Sequence, residues 1–277
     1  MTEATAVSVP APRAEESLTE RACRAYFATW SAMTGACTGG TYAEADGLAR
    51  VRTQLPVPPF NGVWGTTRDV TADAVLEAVD EFRGGPLPWN LQLRPGYPAE
   101  LDGALADRGL ATTGQIPFMV LSDRARVDEV VAGTGERTVR PVRSFVDVDA
   151  TLSLLEQGFS MPPALTRVLF PMRLLLLPGT ATWLVSADGQ DVSTALGAVV
   201  GDCCGVFNVA TPEAHRSRGH GALATAQVVV DGLAAGATSA YLQSSPMGYP
   251  VYEKLGFSTA ERWQQWMPKE YLEQPVS

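Results

Sequence analysis

The chain has 277 residues, 45% hydrophobic and 18% charged, enough to bury one large core or two ordinary ones. Lys and Arg number 21 against 30 Asp and Glu, a formal charge of −9, which excludes nucleic-acid backbone binding as the main task because that needs a basic face. The four cysteines have no C-x-x-C spacing and two are adjacent, which argues against a zinc site or a disulfide framework and for reduced thiols in a cytoplasmic, metal-free protein.

Residues 1–16, opening "MTEATAVSVPAP", read as a disordered tail rather than a signal peptide, having no basic start followed by an apolar run. Next come a hairpin-like "TYAEADGLARVRTQL", a strand "FNGVWGTT", and a helix from Thr71 to Phe82 closed by Gly84-Gly85. The strand "WNLQLR", a short helix from Ala99 to Asp107 and a final strand complete the first half. The charged, glycine-bearing stretch at 123–136 reads as a linker. The most apolar stretch, "VLFPMRLLLLPG", is broken by Pro171 and Arg173 and is too short to span a bilayer, so no membrane partner is expected. A hairpin with Asp188-Gly189 at its turn follows, then the strand "CCGVFNVA" and a helix from Ala222 to Ala235 closed by Gly236. The strand "SAYLQSS", a short helix near Val251 to Leu255 and a last strand end the chain.

The two halves share this order, and they share words. "LQLRPGYP" begins at Leu91 and "LQSSPMGYP" at Leu242. Upstream of each lies a Phe-Asn pair, Phe60-Asn61 and Phe207-Asn208, with 31 residues from Asn61 to Gln92 and 35 from Asn208 to Gln243. The expectation is two copies of one α/β unit, at 17–122 and 137–277, each a mixed, mainly antiparallel sheet flanked by helices.

The copies differ between strand and helix, where the first reads "GTTRDVTADA" and the second "TPEAHRSRGHGALA". Only the second places Arg216-x-x-Gly219-x-Gly221 at a helix start. Glycines there let backbone N–H groups close on an anion, and the helix dipole favours negative charge. "GHGALA" also satisfies the G-x-G-x-x-A dinucleotide fingerprint, but a long loop precedes it and no acid follows about twenty residues on, so that reading fails. His215 and His220 are the two histidines, and no G-x-S-x-G elbow partners either as a hydrolase triad.

From Val209 to Phe257 the sequence resembles the acyl-CoA-binding half of the GNAT acetyltransferase superfamily. Arg216, Gly219 and Gly221 match its R/Q-x-x-G-x-G/A signature, and Tyr252, Gly256 and Phe257 its later Tyr-x-x-x-Gly-Phe. The resemblance spans about Thr138 to Met267, and the first half echoes it without the cradle, so the chain resembles a tandem GNAT protein with a degenerate N-terminal unit. It implies acetyl-CoA as co-substrate and transfer of the acetyl group to a primary amine by direct attack on the thioester. Backbone groups at Val209, Ala210 and Thr211 would hold the pantetheine, and amides from Ser217, Arg218, Gly219, His220, Gly221 and Ala222 the pyrophosphate, with Arg216 or Arg218 adding charge and Ser244 lining the site. Tyr252 would protonate the leaving thiolate, while Tyr249, which aligns with Tyr97, reads as structural.

One departure concerns the base. Many relatives carry Glu on the fourth strand, and "CCGVFNVA" has none. Asn208, Ser244 or Ser245 would then order a proton-accepting water; Glu156 and Glu213 are further carboxylates, and Phe159, Ser160 and Met161 lie where relatives shape the acceptor pocket. The implied partner is a small-molecule amine bound by a monomer or homodimer. The alternatives are a non-catalytic acyl-CoA sensor and an acetyltransferase of protein N-termini or Lys.

Overall fold

A computed structural model describes residues 16–171 and 177–272; the tail at 1–15 and most of "MRLLLLPG" lie outside them. The chain forms two compact units, and neither is one continuous half. The larger unit takes residues up to Thr29 with Met119–Thr259, and the smaller takes Trp30–Phe118 with Ala260 onward.

In the smaller unit, strands β1 (Thr41–Ala45), β2 (Leu48–Arg52) and β3 (Asn61–Gly65) pair antiparallel. The turn between the first two is Asp46-Gly47, both at positive φ, the geometry that suits a two-residue hairpin. Helix α2 (Ala72–Phe82), capped by the Thr71 side chain, carries the crossover to β4 (Asn90–Leu93), which lies parallel to β3. Helix α3 (Leu101–Asp107) then leads to β5 (Leu110–Leu121). The neighbour of β4 is not β5 but β11 (Phe257–Pro268), the last strand of the chain, paired antiparallel with Gln264 opposite Leu93. Val75, Ala78, Val79 and Phe82 of α2 close over Val63, Leu91 and Leu93 as the core.

The larger unit repeats the plan. Helix α4 (Ala125–Ala132) precedes β6 (Thr138–Pro141), and α5 (Phe145–Phe159) starts from a reciprocal Ser144–Asp147 capping box. After α6 (Pro163–Leu169) come β7 (Thr180–Ala187), β8 (Gln190–Val200) and β9 (Cys203–Ala210), all antiparallel, with Asp188-Gly189 again at positive φ. Helix α7 (His220–Ala234) crosses over to β10 (Ser239–Gln243), parallel to β9, and α8 (Tyr249–Lys254) follows. The neighbour of β10 on its other side is β5. Leu223, Ala224, Val228 and Val229 pack on Cys204, Val206, Ala240 and Leu242. Gly232 permits the close approach, since a Cβ there would lie 2.4 Å from Cys204 Sγ. All four cysteines are buried, and none is in a disulfide.

Three expectations differ from the structure. The boundaries at 17–122 and 137–277 do not coincide with the compact units, because β5 is divided after Phe118, β11 after Thr259, and the first helix, α1 (Leu18–Ala36), after Thr29. Residues 123–136 are no linker: they hold α4, whose Val127 is fully buried in the larger unit's core. The shared Phe-Asn pair is also misleading. Trp64 faces Gln92 in β3–β4, and continuing the Gly205–Tyr241 register places Phe207 level with Gln243. Phe207 therefore corresponds to Trp64, and Phe60-Asn61 starts a strand where Phe207-Asn208 nears the end of one.

Candidate functional site

The site begins where β9 and β10 part. Their pairing is registered from Cys203–Ser239 to Gly205–Tyr241, yet β9 runs on to Ala210. Against β8 the register slips, with Thr194 opposite Ala210 and Leu196 opposite Phe207, so β9 carries one extra residue. Asn208 absorbs it with φ +52°, a bulge that bends the strand and re-aims its amides. Val209 is half-buried and Ala210 buried. Thr211 is fixed by proton accounting: Ser193 Oγ donates to the Ala210 carbonyl at 3.0 Å, so the 2.9 Å contact with Thr211 Oγ1 has the threonine as donor.

Past Thr211 the loop turns through Glu213–His215 and reaches Ser217 and Gly219, both left-handed at φ +61° and +77°. Gly219 is the N-cap of α7 and has no side chain to satisfy the first turn, whose first backbone bond is from the Leu223 amide to the Gly219 carbonyl. The amides of His220, Gly221 and Ala222 are therefore open, as helix geometry requires. Those of Ser217, Arg218 and Gly219 also have no acceptor among the described residues. A Cβ on Gly221 would stand 3.2 Å from Thr211 Oγ1, filling the space between loop and helix. This cradle of six amides at a positive dipole end fits a diphosphate. His220 is the first residue of α7; it is buried, and its Nδ1 has no partner among the described residues. Burial first, then the nearby Arg137, His215 and Arg218, hold its imidazole below the usual pKa.

The two arginines of the motif divide. Arg216 gives Nε to the Thr211 carbonyl at 3.1 Å and Nη2 to the Gly158 carbonyl at 3.0 Å, tying the end of α5 to the loop. Arg218 is exposed. Of the tyrosines, Tyr249 shares a 3.0 Å hydrogen bond with Thr259, whereas the Tyr252 hydroxyl has no partner among the described residues. Burial pushes the Tyr252 phenol up to about 12, so it is a proton donor at neutral pH. Ser245 accepts the Gly248 amide at the start of α8, and Ser244 Oγ donates to the Ser245 carbonyl, so both hydroxyls serve the turn. Phe159 is exposed, Ser160 caps α5 at φ +53°, and Met161 is half-buried beside them. Glu213 is exposed and Glu156 half-buried.

Sequence reasoning missed two contributors. Tyr26, on the part of α1 that belongs to this unit, donates to Gln243 Oε1 at 2.9 Å where β9 and β10 part. Arg137, just before β6, lies against Gly219. Neither sits in a spaced motif. Among the described residues no group of three or more His, Cys, Asp or Glu stands together as metal ligands, and no helix is long and apolar enough to cross a membrane.

The smaller unit has the same strands without the gap. β3 ends at Gly65, one residue past its pairing with β4, and the Thr71 side chain caps α2. Between the strand ends lies Arg94, 1% exposed, which donates to the Thr66 carbonyl at 2.9 Å and to both oxygens of the Glu261 carboxylate. Arg68 and the Trp263 indole N–H also donate to Glu261. Burial works to raise the carboxyl's pKa, but these donors together hold it below the usual range.

No family model matches the chain, and no curated protein sequence matches it significantly. Solved structures do. It is similar to a GCN5-related N-acetyltransferase from Kribbella flavida, at 18% identity and TM-score 0.64, over 91% of this chain and 95% of that one. A GCN5-related N-acetyltransferase-like protein from Streptococcus suis gives 13% and 0.53, over 89% and 98%. A GCN5-related N-acetyltransferase from Sphaerobacter thermophilus gives 16% and 0.53, over 80% of each chain. Over most of its length, this chain has the fold of the GCN5-related N-acetyltransferases.

Proposed function

We propose that the chain is an acyl-CoA-dependent N-acyltransferase that moves an acetyl group from acetyl-CoA to the primary amine of a small molecule. The observation that carries this reading is the opening of β9 from β10, ending at the Gly219–Ala222 cradle, in the larger unit alone. Bound acetyl-CoA would supply the thioester: the amine nitrogen forms a bond to the carbonyl carbon, and the carbon–sulfur bond breaks. The chain's part is to hold and orient. The cradle amides take the diphosphate, and backbone amides re-aimed by the Asn208 bulge stabilise the charge developing on the carbonyl oxygen. Tyr252 gives its hydroxyl proton to the departing sulfur, and the proton lost by the amine nitrogen passes through solvent water, which restores the phenol. Its high pKa keeps that proton available across the neutral range.

A second reading, a non-catalytic acyl-CoA sensor, is favoured by one observation: from Cys203 to Ala210, β9 carries no carboxylate to accept the amine proton. The test is release of free CoA thiol from acetyl-CoA with a panel of small primary amines. Amine-dependent release supports the transferase. Tight binding of acetyl-CoA with no release for any amine supports the sensor, and no binding ends both readings.

A further inference from the structure

We propose that Arg137 is a fixed phosphate-binding arm of the α7 cradle, the residue that makes the site select a phosphorylated acyl donor. This rests on the acyl-CoA reading and extends it to a residue outside the recognised motif. The Arg137 guanidinium is held in place from behind: Nε donates to the Thr134 carbonyl at 2.8 Å and Nη2 to the Gly133 carbonyl at 2.8 Å. Both carbonyls close the end of α4, so the side chain is anchored before any ligand arrives. Its third nitrogen, Nη1, is turned to the cradle, 3.7 Å from where a Cβ on Gly219 would be. Glycine at 219, required by φ +77°, also keeps that approach clear of a side chain.

The charges around this point favour an anion. His220 Nδ1 is buried without a partner among the described residues, on a residue 6% exposed at the first position of α7. The cradle also gathers Arg137, Arg218 and His215 around His220, opposed there by Asp188. Of the arginines in the cradle motif, Arg216 is spent on two backbone carbonyls and Arg218 is exposed. Arg137 is the one that is both anchored and aimed. A guanidinium pre-positioned in this way loses little conformational freedom when it meets a phosphate oxygen.

The experiment is calorimetric titration of the full chain with CoA and with pantetheine, which has no phosphate. Loss of one charge-assisted hydrogen bond by Arg137→Gln is expected to weaken CoA about tenfold while leaving pantetheine unchanged. Arg137→Lys, which keeps the charge but not the fork, should fall between, and Arg218→Gln should weaken CoA less. The melting temperature of each unliganded variant shows whether the fold is intact, and the Lys variant retains the test if Gln loosens α4. Wild-type CoA affinity in Arg137→Gln, or equal losses for CoA and pantetheine, would overturn the proposal. No CoA binding by the wild-type chain overturns the acyl-CoA reading itself, a result distinct from either.

Discussion

Tyr252 and Tyr249 stand three positions apart on one short helix, and their surroundings separate their roles. Tyr249 is tied to Thr259; Tyr252 is buried beside Phe257 with a hydroxyl that none of the described residues engages. Phe in place of Tyr252 keeps the ring contacts and removes the proton. With an active acceptor in hand, Tyr252→Phe is expected to lower kcat by roughly 10² to 10⁴ with little change in acetyl-CoA affinity, and Tyr249→Phe to cost less. Because burial raises the phenol to about 12, wild-type kcat should show no fall from this group up to about pH 10. Turnover near wild type in Tyr252→Phe removes it from the mechanism. Tyr252 was legible in the sequence as a candidate, since a tyrosine four positions before Gly-Phe is a local pattern. It gave no sign of Arg137, which has no spacing to a partner and reaches Gly219 only from the end of α4.

Among the elements, the β3–α2–β4 and β9–α7–β10 crossovers contrast, and the proposed site follows the second. One ends in an open gap and a glycine-capped helix; the other ends in a threonine cap with Arg94 and Glu261 across its mouth. Removing Arg94 leaves a nearly solvent-free carboxylate with Arg68 and Trp263 alone. Arg94→Met is therefore expected to cost about 3 kcal/mol in urea denaturation. A cost below about 1 kcal/mol would show that the pair contributes little to the smaller unit. The limits of α2, α3, α7 and α8 were legible to within a few residues, because caps and glycines such as Thr71 and Gly236 are local signals, whereas α4 read as a linker. The Arg94–Glu261 pair was not: its partners lie far apart in sequence, and only strand pairing brings them together.

For the whole molecule, the duplication was legible in "LQLRPGYP" and "LQSSPMGYP", which do occupy equivalent places in β4 and β10. The order of the last strands, with β11 rather than β5 beside β4, was not, because either copy has the sequence of a strand and nothing local states which neighbour it pairs with. This strand order sharpens one expectation. A fragment of residues 137–277 lacks α1, α4 and the β5 segment at Met119–Leu121, and its own β11 loses β4. It should be insoluble or aggregating, with open sheet edges and an uncovered apolar face, by size-exclusion chromatography. A soluble fragment with full acetyl-CoA affinity would contradict this account of the units. The most direct measurement of the central claim, one acyl-CoA site per chain at the α7 cradle, is a calorimetric titration of acetyl-CoA into the full chain and into Gly221→Asp. The account predicts one site per wild-type chain and none in the variant, whose carboxylate would occupy the space beside Thr211. Two sites per chain, or undiminished binding in Gly221→Asp, would contradict it.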